Sequence, residues 1–178
     1  MKRSTLLHLA FTTLICLLLA ACNTARKEAV AQFGNEKMTT IYLVRHAEKQ
    51  FDRDPLLTDM GTERAERLKE ILKNVKLSAV YSSDTRRTQL TAAPTAADHN
   101  LKVTTYNVGM LSEFSDLVLT LHRGKSILIV GHSNTTPAMA NYLTKTEEFP
   151  RFSELDYTNF YVVNIPRIGK ARVLTLRY

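Results

Sequence analysis

From residue 39 onward the chain alternates short apolar runs with amphipathic stretches, and nothing else in it narrows the possible folds so far. Residues 39–44 read as a strand. Residues 58–73 read as a helix: Thr58 or Asp59 caps it, Glu63 sits in its first turns, and Ala65, Leu68, Ile71 and Leu72 form an apolar stripe. Further strands are expected at 78–81, 101–105, 127–130, 160–164 and 172–176, the last with alternating polarity. Further helices are expected at 84–97, where Pro94 should end or kink the element, at 110–122, with Leu111, Phe114, Leu117, Val118 and Leu121 on one face, and at 135–143, with Pro137 near its first turn. Strands alternating with amphipathic helices predict an α/β fold, a three-layer sandwich with a mostly parallel central sheet and helices on both faces.

In such sheets the ligand site lies beyond the carboxyl ends of the strands. The run 39–44 ends in Arg45-His46, followed by Glu48. The run 127–130 ends in Gly131-His132-Ser133-Asn134. The run 78–81 leads into Ser82-Ser83-Asp84-Thr85-Arg86-Arg87. Histidines and arginines thus gather on one rim. A zinc protease would need His-Glu-x-x-His, which is absent, and arginines would oppose the metal. A nucleophile elbow needs Gly-x-Ser-x-Gly, but Gly131-His132-Ser133 has no second glycine. The Gly-x₄-Gly-Lys phosphate loop is also missing. A metal-free phosphate pocket fits better. Arginine forks bind phosphate oxygens bidentately. Backbone N–H groups at the Asn134–Pro137 helix start suit an anion. A neutral imidazole held through one ring nitrogen can attack phosphorus with the other.

These residues resemble the histidine phosphatase (phosphoglycerate mutase-like) superfamily. Its Arg-His-Gly motif is similar to Arg45-His46-Ala47, and its Leu-Thr-x-x-Gly to Leu57-Thr58-Asp59-Met60-Gly61. Its Ser-Ser-x-x-x-Arg motif resembles Ser82 to Ala92, in a register that selects Arg87 rather than Arg86. Its Gly-His-Ser matches Gly131-His132-Ser133. The resemblance implies a phosphohistidine nucleophile at His46, a phosphate pocket of Arg45, Arg87 and His132 with Ser133 and Asn134 beside it, and no metal or other cofactor. Many members take a proton donor from a stretch similar to Leu111-Ser112-Glu113, so Glu113 is one candidate; Glu48 and Asp84 are rivals. Alanine at position 47 departs from the family glycine. The long insert typical of mutases is missing before the second-histidine strand, which favours a hydrolase. A mutase and a phosphate-binding protein without turnover stay open as alternatives. His99 and His122 read as surface residues.

The N-terminus carries a different message. Lys2 and Arg3, an apolar run and Leu19-Ala20-Ala21-Cys22 resemble a bacterial lipoprotein signal over residues 1–21, with Cys22 lipidated. Residues 22–38 then form a lipidated tether, whose coil spans on the order of 20 Å, and 39–178 the phosphatase domain. This places the protein in the bacterial envelope, held to a membrane by lipid on the periplasmic face or at the cell surface. Asn23 after Cys22 favours outer-membrane sorting in a Gram-negative cell. Cys16 leaves with the signal, so the domain has no intrachain disulfide, no Cys₄ zinc site and no cysteine nucleophile. The formal net charge of +7 is scattered among acids, as in Glu63-Arg64 and Glu66-Arg67, and predicts no nucleic-acid partner. The expected partner is a small-molecule, lipid or glycan phosphate. The loop 50–55 and the segment 144–154 are expected to frame the pocket.

Overall fold

The expected strand at the head of the domain becomes the spine of the sheet. In a computed structural model, residues 37–178 are described; the expected signal, Cys22 and nearly all of the tether lie outside the described residues. The strands are β1 (Thr39–Arg45), β2 (Leu77–Ser83), β3 (Val103–Tyr106), β4 (Ser126–Gly131), β5 (Asn159–Ile165) and β6 (Arg172–Arg177). The helices are α1 (Asp59–Leu72), α2 (Arg86–Asp98), α3 (Leu111–Leu121) and α4 (Thr135–Thr144), and a short 3₁₀ turn at Val108–Met110 precedes α3. The six strands lie in the order β3-β2-β4-β1-β5-β6. β1 to β4 run parallel, whereas β5 runs antiparallel to both β1 and β6. The α/β sandwich with a mostly parallel sheet is therefore the observed fold.

β4 shows why its sequence is apolar throughout. Ile127 and Ile129 join Ile41 and Leu43 on one face, under Phe114 and Val118 of α3 and Met139 and Leu143 of α4. Leu128 and Val130 join Val44 and Val80 on the other, under Leu68 and Leu72 of α1 and Ala92 and Ala96 of α2. A strand covered on both sides has no solvent face on which to place a polar residue.

Several local expectations shift. The buried stripe of α1 is Gly61, Ala65, Leu68 and Leu72, while Ile71 is 45% exposed. Leu117 and Leu121 likewise stay exposed on α3, beside a buried stripe of Phe114, Ser115 and Val118. An apolar residue one step off the stripe points to its edge rather than into the core. Pro94 does not end α2, which runs through it to Asp98. The missing N–H is offset because Thr91, Ala92, Thr95 and Ala96 are all buried against the sheet. β6 alternates in sequence, yet Leu174 and Leu176 are both exposed, since β6 is an edge strand. His122 is not a free surface group: its ring bridges Ser78 Oγ and Tyr81 Oη at 3.1 and 2.8 Å.

Candidate active site

The strand register assembles the site before any side chain is considered. Arg45 pairs with Gly131 across β1 and β4, and Ser82 pairs with Val130 across β2 and β4. Arg45-His46, Gly131-His132 and Ser83 therefore leave the sheet side by side at its carboxyl edge. Gly131 has room for no side chain; a Cβ there would come within 2.8 Å of Thr135 Oγ1 and 3.0 Å of Tyr106 Oη.

His46 is 3% exposed. Its Nδ1 lies 2.8 Å from the Ala47 carbonyl. A carbonyl only accepts, so Nδ1 carries the proton and Nε2 keeps its lone pair. The main chain around it is fixed twice: His46 N–H donates to the Gly131 carbonyl at 2.9 Å, and Ala47 N–H donates to Thr91 Oγ1 at 2.9 Å. The alanine methyl that replaces the family glycine packs with Leu57 and Ala65. His132 follows a complementary logic. Its Nδ1 faces Arg87 Nη2 at 3.4 Å and its Nε2 faces Ser83 Oγ at 2.7 Å. Arginine can only donate, so Nδ1 is the acceptor and Nε2–H donates to Ser83. The two rings sit edge to face with centroids 5.5 Å apart.

Burial, the Ala47 carbonyl's opposing pull, and then the charges of Arg45, His132 and Arg87 leave the His46 pKa at about 3; burial is the largest cause. Burial first, then Arg87 and Arg45, lower His132 to about 4. Both rings are neutral near pH 7, as an attacking and an accepting imidazole require.

Arg45 is 1% exposed and is held by the segment that follows α4. It donates to the carbonyls of Ser153 and Asp156 at 2.8 and 3.1 Å and to Glu154 at 3.0 Å, and it lies 4.2 Å over the Tyr157 ring. Tyr157 also lies beside His46, at 5.8 Å between ring centroids. Ser133 donates to the other oxygen of Glu154, and Asn134 is exposed at the start of α4. From the loop 50–55, Asp54 accepts from Arg86 N–H at 3.1 Å and lies 3.7 Å from Arg87. Among the described residues the Nε atoms of Arg45 and Arg87 are both buried with no partner. A buried guanidinium N–H without an acceptor is unusual, and such a donor suits an anion.

The carboxylates named as proton donors do not join this group. Glu113 is exposed and accepts from Ser112 at 2.9 Å, and its carboxyl is lowered first by its own backbone N–H and then by that contact. Glu48 is half-buried and gripped by Arg64, with bonds of 2.7 to 3.0 Å. Burial pushes its carboxyl up, but the Arg64 bonds and charge bring it below the ordinary range. A carboxylate held ionised by an arginine has no proton to give. Glu48 instead braces the strand end. Its carbonyl accepts from Thr58 N–H at 3.0 Å, and a Cβ on Gly61 would collide with that oxygen. The Leu57-Thr58-x-x-Gly61 run is thus a close-packed seat for Glu48. Asp84, the third candidate, is exposed and accepts from Gln89.

The sequence reading missed Thr91, Glu154, Tyr157, Asp54 and Arg64. Thr91 lies inside a quoted motif and could have been found. Glu154 and Tyr157 lie in an irregular segment whose path only the fold defines. Among the described residues no group of three or more His, Cys, Asp or Glu side chains is placed to hold a metal ion.

The family model described as histidine phosphatase superfamily (branch 1) matches residues 41–108, which include Arg45-His46, Leu57 to Gly61 and Ser82 to Ala92. Across those residues the chain is similar to the histidine phosphatase superfamily. Several solved structures share this fold. A mycobacterial glucosyl-3-phosphoglycerate phosphatase shares 12% identity at a TM-score of 0.66, covering 79% of this chain and 98% of its own. The protein histidine phosphatase SixA, solved with tungstate, shares 18% identity at 0.65, covering 78% and 96%. An Escherichia coli protein described as a putative α-ribazole-5′-phosphate phosphatase shares 18% at 0.64, covering 79% and 96%. Comparison with curated proteins by sequence gives no match. This chain covers nearly the whole length of each of these structures.

Proposed function

We propose that this histidine phosphatase transfers a phosphoryl group to Nε2 of His46 and then to water. The observation that carries the reading is the pairing of a free, neutral His46 Nε2 with two buried, unpartnered guanidinium N–H groups. The phosphoryl oxygens would take the open donors of Arg45 and Arg87. The Nε2 lone pair forms the P–N bond as the P–O bond breaks, and that electron pair leaves with the substrate oxygen, which takes up a proton. Water then attacks phosphorus, the P–N bond breaks, and neutral His46 and inorganic phosphate remain. Arg45, Arg87 and a hydrogen-bonded His132 hold the charge that builds on the equatorial oxygens, so the mechanism asks for no metal.

A cavity of about 390 Å³ opens beside His132, lined by Ser83, Asp84, Thr85, Thr105, Asn107 and Val108. Its hydroxyl and amide lining suits a small polar leaving group. No carboxyl group beside His46 is raised toward neutrality, so leaving groups that need little protonation are favoured. Activated phosphomonoesters and N-linked phosphoryl groups meet that condition. The second of these is the reading that the likeness to a protein histidine phosphatase also supports.

Residues 23–178, purified and treated with EDTA, are expected to hydrolyse p-nitrophenyl phosphate and a phosphoramidate. His46→Ala should lower kcat by at least about 10³-fold, and the trapped acid-labile, base-stable phosphoenzyme should be lost with it. Activity that survives His46→Ala, or that appears only with a divalent metal, overturns the mechanism. Phosphate binding without turnover would leave a binding protein, and phosphoryl transfer to a second substrate hydroxyl would make it a mutase.

A further inference from the structure

The opposite end of the same strands carries an unabsorbed feature. Lys37, Lys76, Arg123, Lys125, Lys170 and Arg172 are all exposed. The register brings them together. Leu77 and Thr40 both pair with Ser126, which sets Lys76 and Lys125 beside the start of β1. Thr40 pairs with Asn164, and Asn164 with Arg172, which continues the row to the far edge. Lys37 lies against Gly124, since a Cβ there would sit 2.9 Å from Lys37 Cβ. Among the described residues none of these six has an ion-pair partner. Of the acidic side chains toward this end, Asp116 lines a cavity with Thr39 and Arg123 and accepts from Tyr142 at 3.0 Å, Glu147 follows the end of α4 beside Lys145, and Glu70 and Asp98 act on Lys69 and Lys73. Helix C-termini attract cations only within about their last turn, and Lys76 and Lys125 lie beyond it, in the loops that lead into β2 and β4.

We infer that this amino-end surface rests on an anionic bilayer, with the His46 pocket directed away from the lipid. Several exposed cations at one end of the sheet match the potential of an anionic leaflet, to which each contributes near the surface. The chain also enters the domain here, at Lys37, and the sequence before it reads as a lipidated tether. β1 alone separates the two ends by roughly 20 Å, more than the Debye length at physiological salt. The lipid and the phosphate pocket therefore see different charges. The inference is independent of the catalytic proposal.

Residues 23–178, which lack the lipid, test it by co-sedimentation with vesicles at low salt. Binding to phosphatidylglycerol–phosphatidylcholine vesicles is expected, with about a tenfold or greater loss on pure phosphatidylcholine, in 0.5 M salt, or in the variant Lys76→Glu/Lys125→Glu/Arg172→Glu. That variant should keep its phosphatase activity, while Arg87→Ala should keep vesicle binding. Equal binding to neutral and anionic vesicles, no binding at low salt, or full binding by the triple variant overturns the inference. So does binding to duplex DNA with none to vesicles. The chain's only cysteines are Cys16 and Cys22, so a second readout is available on the full lipidated protein. A fluorophore at Lys125→Cys should be quenched by headgroup-labelled lipid and one at Phe51→Cys should not; equal or reversed quenching also overturns the inference.

Discussion

The two ends of the central sheet use the same residue type in opposite ways. At the carboxyl end Arg45 is buried, braced by backbone carbonyls and Tyr157, and left with one orphan N–H. At the amino end Lys125 and Arg172 stand exposed, with no ion-pair partner among the described residues. A buried, pre-oriented cation can discriminate one small anion by geometry, because its donors cannot turn to water. A solvated cation offers only a diffuse field, which suits an extended charged surface and is screened by salt. Positive charge in this molecule is therefore of two kinds, part buried at the carboxyl end of the sheet and part solvated at its amino end.

The sharpest test of the buried end is Arg87→Lys. It keeps the charge but removes the fork, and is expected to lower kcat by about 10² to 10³-fold; unaltered kinetics would show that the geometry is irrelevant. Next in size is Arg64→Ala. It strands a half-buried Glu48 and is expected to destabilise by about 3 kcal/mol in urea melts, with the seat at Thr58 and Gly61 loosened. If stability does not change, Glu48 is not a brace.

Acid should separate the ends further. His46 and His132 have folded pKa values of about 3 and about 4, below the unfolded value near 6.5. The unfolded chain binds more protons across that window. Stability is therefore full above about pH 6.5 and is lost as pH falls toward 4 and then 3. Glu48 and Asp156, whose carboxyls are lowered, add loss in the same direction at the acid end. Urea midpoints at pH 7 and pH 4 should differ less in His46→Asn/His132→Asn than in the parent. The smallest effect is expected at the exposed end: Lys125→Ala should change stability by no more than about 0.5 kcal/mol and leave kcat unchanged. A larger change in either would mean that the ends are coupled.

Much of the pocket could be read before folding was considered, for a specific reason. Arg45-His46 and Gly131-His132 each follow an apolar strand directly, so their position at a strand tip is a local property. Arg87 could be placed through its motif. Glu113 rests on resemblance, which places a segment without fixing its partners; it stands exposed in the first turn of α3 and accepts from Ser112. Glu48 shows a different limit of sequence. It lies next to the nucleophile in sequence, but its carboxylate is claimed by Arg64, sixteen positions away on another element.

What the sequence determined by itself was periodic or contiguous: the alternation of strands and helices, the two-sided burial of β4, and the Arg-His and Gly-His strand tips. Tertiary structure decided what depends on distant partners. It chose the tautomers of His46 and His132, the cage that Ser153 to Tyr157 builds around Arg45, and the gathering of Lys76, Lys125 and Arg172 at one end. Side-chain periodicity is encoded within a few residues, whereas hydrogen-bond partners and charge neighbours are set by strand order, which no short stretch contains.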